Sequence, residues 1–106
     1  MNDSGSSDGT SKAGYVLIRH HIADYAKWEP VFVEHGPTRR SAGSRGSRVF
    51  RNPDDPEEIV ILLEFDDLDR ARDLTESDDT RAVMQRAGVT DKPDIHYLEE
   101  VGRFAE

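Results

Sequence analysis

Five side chains with chemical reach recur at helical spacing in one segment, DYAKWEPVFVEHGPTRRSAG at residues 24–43. Counting from Tyr25, residues Trp28, Phe32, His35 and Arg39 follow at steps of three or four, so a helix would carry them all on one side. That side begins aromatic and ends cationic. An imidazole at His35 can exchange a proton near neutral pH, which makes it the first candidate for a general base. Arg39, one turn further on, could hold an enolate or a carboxylate through its forked donors. Tyr25, Trp28 and Phe32 could wall a pocket for a flat substrate, and Glu64, at the end of a later strand, is expected near His35 as the carboxylate that orients its ring. The plainer reading of the same stripe is a helix face buried in a core, with a satisfied histidine and an arginine favoured by the negative end of the helix.

The other histidines make a weaker case. His20 and His21 are adjacent on a predicted strand, so their side chains leave opposite faces and cannot chelate one ion together. Antiparallel pairing could bring one of them near Asp94 and His96. No two of the four histidines have the spacing that makes a metal site persuasive, so no metal and no cofactor is expected. There is no cysteine, which removes disulfides, thiolate nucleophiles and sulfur-ligated metals. No phosphate loop, nucleophile elbow or glycosidase-type carboxylate pair can be read.

These residues need elements to hold them. Residues 1–14 are mostly Ser, Gly and Asp without periodicity and read as a disordered tail. YVLIRHHI at 15–22 is a strand, and Asp24 is a plausible N-cap for the helix that follows. Pro30 and the Gly36–Pro37 pair should kink that helix or break it just after His35. After a turn at 42–46, residues 47–52 form a short strand and 53–56 carry the composition of a hairpin loop. EEIVILLEFD at 57–66 is the strongest strand, expected to be central and buried on both sides. A helical region begins at Asp67, restarts near residues 77–79 and stops at Gly88, and residues 94–101 form the last strand. The order strand, helix, strand, strand, helix, strand is α+β and ferredoxin-like, βαββαβ, with an antiparallel sheet and both helices on one face. Residues 15–106 make a single domain.

The formal net charge of -8 argues against nucleic acid and anionic membrane surfaces as partners. No apolar run is long enough to span a bilayer and no signal peptide is apparent, so the expected location is cytoplasmic. With 34% charged residues in 106, a small core gains from self-association, and the uncovered sheet face invites a second copy. A homodimer is expected.

The chain from about residue 15 to 101 resembles the dimeric α/β-barrel superfamily, near its antibiotic biosynthesis monooxygenase-like and polyketide-cyclase-like groups. The resemblance is carried by Asp24, Tyr25 and Trp28 of DYxxW, by His35-Gly36-Pro37 with Arg39 and Gly43, by VFRNPDDP at 49–56, by EFDD at 64–67 and by MQRAGV at 84–89. It implies homodimerisation through the open sheet faces and leaves the substrate unnamed, because the fold hosts oxygenases, cyclases, isomerases and haem-degrading enzymes. The haem branch is set aside: it uses an asparagine on the first strand and a histidine on the second helical region, where this chain has Arg19, His20 and His21 and no histidine respectively.

Two functions follow as expectations. One is a cofactor-independent enzyme or binder, monooxygenase-like or cyclase-like, acting on an aromatic or polyketide-like compound with His35 as base and Arg39 or Tyr25 as polar partner. The other is a non-catalytic dimeric module, structural or stress-associated, in which the same stripe is core.

Overall fold

The computed structural model describes residues 12–106. Strand β1 (Gly14–His21) leads to helices α1 (Tyr25–Glu34) and α2 (Gly36–Ser41), then to strands β2 (Ser44–Asn52) and β3 (Asp55–Phe65). Helices α3 (Leu68–Thr75) and α4 (Asp78–Arg86) precede the last strand, β4 (Asp94–Leu98). The sheet is antiparallel in the order β2-β3-β1-β4, so β1 and β3 are central, as the ferredoxin-like reading requires.

Period-two alternation decides what each strand buries. Val16, Ile18 and His20 on β1 with Ile22 just beyond it, and Ile59, Ile61, Leu63 and Phe65 on β3, point under the helices and are buried. Each apolar side chain so removed from water contributes roughly 1.5–3 kcal/mol, which makes this double row the centre of stability. The intervening residues Leu17, Val60 and Leu62 are only half-buried, because no layer among the described residues covers the outer face. The expectation that β3 is buried on both sides therefore holds for one side.

The helix breaks fall at the residues that predict them. Asp24 caps α1 by accepting from the Ala26 N–H at 3.0 Å, and Pro30 lies inside the helix. His35 ends α1 and precedes Gly36 and Pro37 at the first turn of α2. Gly43 follows α2 at φ +105°, a left-handed conformation that suits glycine, and its carbonyl accepts from the Asp66 N–H at 3.0 Å. Asp67 and Ser77 cap α3 and α4 with their side chains, and Gly88 at φ +84° turns the chain after α4.

Boundaries shift in four places. β2 begins at Ser44 and β3 at Asp55, so the turn after α2 and the β2–β3 hairpin are tighter than composition suggests. β4 stops at Leu98, and residues 99–106 continue without regular structure. The expected tail lies outside the described residues for positions 1–11, but Gly14 already belongs to β1 and the Lys12 carbonyl accepts from the Leu68 N–H at 3.0 Å.

Candidate functional site

The aromatic stripe of α1 is a continuous stack. Tyr25 and Trp28 rings lie 5.6 Å apart between centroids, and Trp28 and Phe32 lie 4.8 Å apart, both pairs stacked. A guanidinium closes each end: Arg51 of β2 lies 4.9 Å from the Tyr25 ring and Arg39 lies 3.7 Å from that of Phe32. Arg39 Nη1 also donates to the Phe32 carbonyl at 2.8 Å, so the break after His35 folds α2 back over the end of the stripe.

A cavity of about 60 Å³ lies between this stack, the inner sheet face and α4. Ile18, Ile61, Leu63 and Ala87 are buried apolar members of its lining, while His35, Arg39, Val83 and Met84 are half-buried members. Arg39 has no carboxylate partner among the described residues; burial first, and then neighbouring Arg40, hold its pKa below the usual arginine value. It is a partly desolvated cation facing an apolar space, which suits an anion or an electron-rich oxygen.

Several candidates need repositioning. Trp28, Phe32, His35 and Arg39 do meet at the cavity, whereas Tyr25 stands behind Trp28 and spends its hydroxyl on Glu29 at 3.3 Å. Burial, aided by Glu29, raises the Tyr25 pKa and disfavours its phenolate. Glu64 is not beside His35: it follows Leu63 on β3, and alternation sends it to the outer face with Tyr15 and Leu62. The carboxylate that meets His35 is Asp79 of α4, whose Oδ2 lies 3.2 Å from His35 Nε2. Trp28 itself is buried at 2% exposure, so it offers no open platform for a substrate.

Sequence reasoning treats His20 only as a metal question, yet the structure places it in the wall of this cavity at 1% exposure. Its Nδ1 has no hydrogen-bond partner among the described residues, and its ring lies 6.1 Å from Trp28. Burial is the leading cause that lowers its pKa, so the ring is neutral at pH 7. The signal that finds it is the alternation Val16, Ile18, His20, Ile22, which puts a lone imidazole on the inward face of a central strand.

A second cluster sits at the other face of β1. His21 Nδ1 lies 2.7 Å from Asp91 Oδ2, and its Nε2 lies 3.2 Å from Asp55 Oδ2. The His21 N–H also donates to Asp91 Oδ1 at 2.7 Å. The hydrogen bond with Asp91, reinforced by Asp55, raises the His21 pKa above its usual value. His21, Asp55 and Glu58 could together offer one ligand atom each to an ion, but Glu58 is already held by Arg19 and by the Asn52 amide. The partner of Asp94 is Arg19, at 3.1 Å, and not a histidine, because the β1–β4 register sets Arg19 opposite Asp94 and Leu17 opposite His96.

The architecture is a ferredoxin-like sheet with helices on one face, and it is similar in fold to solved structures described as antibiotic biosynthesis monooxygenases. A candidate antibiotic biosynthesis monooxygenase from Bordetella bronchiseptica superposes with a TM-score of 0.71 at 15% identity, over 86% of this chain and 99% of that one. SnoaB, a cofactor-independent oxygenase from Streptomyces nogalater, superposes with a TM-score of 0.65 at 15% identity, over 86% and 97% of the two chains. Rv0793 from Mycobacterium tuberculosis gives 0.65 at 14% identity, over 89% and 100%. At these identities the likeness is one of fold. No protein-family model matches the sequence, and no curated protein matches it. No helix among the described residues is long and apolar enough to cross a membrane.

Proposed function

We propose that the protein is a cofactor-independent small-molecule enzyme, monooxygenase-like or cyclase-like, acting on an aromatic or polyketide-like compound at the cavity between helices and sheet. The observation that carries this reading is Arg39, a guanidinium without a carboxylate partner among the described residues, at an apolar cavity that also contains His35. Removal of a proton from a phenol or enol by His35 would create an oxyanion, and Arg39 would hold it in a medium where charge interactions are strong. Asp79 fixes the orientation of the His35 ring through Nε2. A SnoaB-like fold is compatible with chemistry that needs no bound cofactor. The functional unit is a homodimer joined through the outer sheet face, where Leu17, Val60 and Leu62 lack cover from the described residues.

A benzene-sized cavity encloses roughly 150 Å³, so the 60 Å³ here admits only the edge of a ring. The same small volume is the observation that favours the second reading, a non-catalytic dimeric module whose aromatic stripe is core. The two separate in one experiment. A panel of mono- and polycyclic phenols is tested for binding and oxygen uptake with the wild type, His35→Ala and Arg39→Ala. Loss of turnover in both variants, with binding of the phenolate form weakened in Arg39→Ala, supports the enzyme; identical behaviour of all three proteins sinks it.

A further inference from the structure

We propose that the cleft between α2 and β2 is an oxyanion subsite adjoining the cavity, and that the ligand carries a phosphate monoester beside its aromatic ring. For the ring the inference rests on the function proposed above; the anion subsite stands on its own observations. From His35 to Pro53 the chain has five arginines and no acidic residue, although its formal net charge is -8. Elsewhere Arg19, Arg70, Arg81, Arg86 and Arg103 each meet a carboxylate. None of the five arginines of this segment does so among the described residues; Arg39, Arg48 and Arg51 lie against aromatic rings instead. Like charges gathered without counter-charges repel one another, and a bound anion relieves that repulsion.

The fold gathers three of these arginines at one place. Gly36, Arg39 and Arg40 of α2 and Ser44, Arg45 and Ser47 of β2 line an open cleft of about 210 Å³. The β2–β3 register shifts between Ser44 and Gly46, so Arg45 is the extra residue of a bulge and has no cross-strand neighbour on β3. Arg39 lines both the cleft and the cavity, and a Cβ at Gly36 would lie 3.5 Å from its Nη2. The two spaces therefore adjoin at one side chain. A phosphate monoester carries a charge of about −1.5 to −2 at pH 7 and presents three acceptor oxygens, which suits several forked donors. A carboxylate brings one charge and two oxygens and would answer less of the cluster. A long polyanion would also meet the acidic remainder of the chain, which a single phosphate in the cleft does not. With the phosphate held by Arg40 and Arg45, Arg39 remains the cation for an oxyanion formed on the ring.

The test is calorimetric titration of the full chain at low salt with phenyl phosphate, benzoate, phenol and inorganic phosphate, followed in parallel by NMR of the arginine Nε–H signals. Phenyl phosphate should bind roughly tenfold more tightly than benzoate or phenol, as one charge-assisted hydrogen bond supplies. Phenyl phosphate and inorganic phosphate should both move the Arg40 and Arg45 signals. The double variant Arg40→Gln/Arg45→Gln changes two exposed positions, should keep the fold, and should erase the preference for phenyl phosphate. Arg48→Gln/Arg72→Gln removes the same charge away from the cleft and should leave that preference in place. An equal loss in this control, or full retention in Arg40→Gln/Arg45→Gln, overturns the subsite. Benzoate binding as tightly as phenyl phosphate overturns the phosphate class. Phenyl phosphate binding no more tightly than inorganic phosphate overturns the place of the ring, and with it the proposed function, while the anion subsite stands.

Discussion

The guanidinium of Arg39 lies 3.7 Å above the ring of Phe32 while its Nη1 donates to the carbonyl of that same residue at 2.8 Å. One side chain thus ties α2 back onto α1 across the break at His35. Arg39→Lys should cost about 1–2 kcal/mol in urea unfolding, because an ammonium cannot both stack flat and keep the carbonyl bond. If Lys proves equivalent to Arg, the contact is incidental.

Asp79 is 70% exposed, so its contact with His35 adds little to stability. Asp79→Asn should therefore change unfolding free energy by less than about 0.5 kcal/mol yet slow any turnover that depends on a correctly oriented His35. A large stability loss with turnover intact would reverse that assignment.

The neighbouring histidines should oppose one another in pH dependence. His21 is raised above its usual 6.5, so the stability it contributes is complete below that value and disappears as pH rises through its folded pKa. His20 is lowered, so below the usual 6.5 the unfolded chain binds a proton that the folded chain refuses, and stability falls as pH drops toward its folded pKa. Urea unfolding from about pH 5 to about pH 9 should show the alkaline loss reduced in His21→Gln and the acid loss reduced in His20→Leu. Asp91 bounds the acid side further down: the His21 N–H, then the His21 ring, hold it below the usual 3.8, and its contribution is lost as pH falls through its folded pKa.

Gly43 and Gly88 both have positive φ, but a Cβ at Gly43 would lie 2.3 Å from Asp66 Oδ1 whereas one at Gly88 meets only the Ala23 Cβ at 3.9 Å. Gly88→Ala should cost about 1 kcal/mol and Gly43→Ala about 2–3 kcal/mol, measured by thermal or urea unfolding. Equal losses would show that the Asp66 side chain yields freely.

Leu62 faces outward opposite Leu17 on the neighbouring strand, with Phe50 and Leu98 exposed on the same sheet. Sedimentation velocity should show a dimer for the wild type and a monomer for Leu62→Lys, since a buried unpaired ammonium is costly at an apolar interface. A monomeric wild type would remove the outer face as an interface.

Much of the scaffold is legible in the chain because it depends on local rules. Alternation in VLIRHHI and EEIVILLEF assigns the inward faces, Asp24, Asp67 and Ser77 cap helices with their own side chains, and Gly36–Pro37 ends a helix wherever it falls. The helical spacing likewise brings Trp28, Phe32, His35 and Arg39 to one cavity. Contacts between elements are another matter. Glu64 is assigned to His35 by proximity along the strand ends, but alternation puts it on the far side of the sheet, and Asp79, 44 residues from His35, takes its place.

Composition, period and turn chemistry by themselves determined the ferredoxin-like order of elements, the inward rows and the stripe of α1, because each is fixed by residues within a few positions of one another. Only the tertiary structure decided that Asp79 meets His35, that Arg39 folds back over Phe32, and that His20 Nδ1 lies buried with no partner among the described residues. Those facts depend on how far-separated surfaces pack and on which polar atoms that packing leaves unanswered, and no local pattern encodes either.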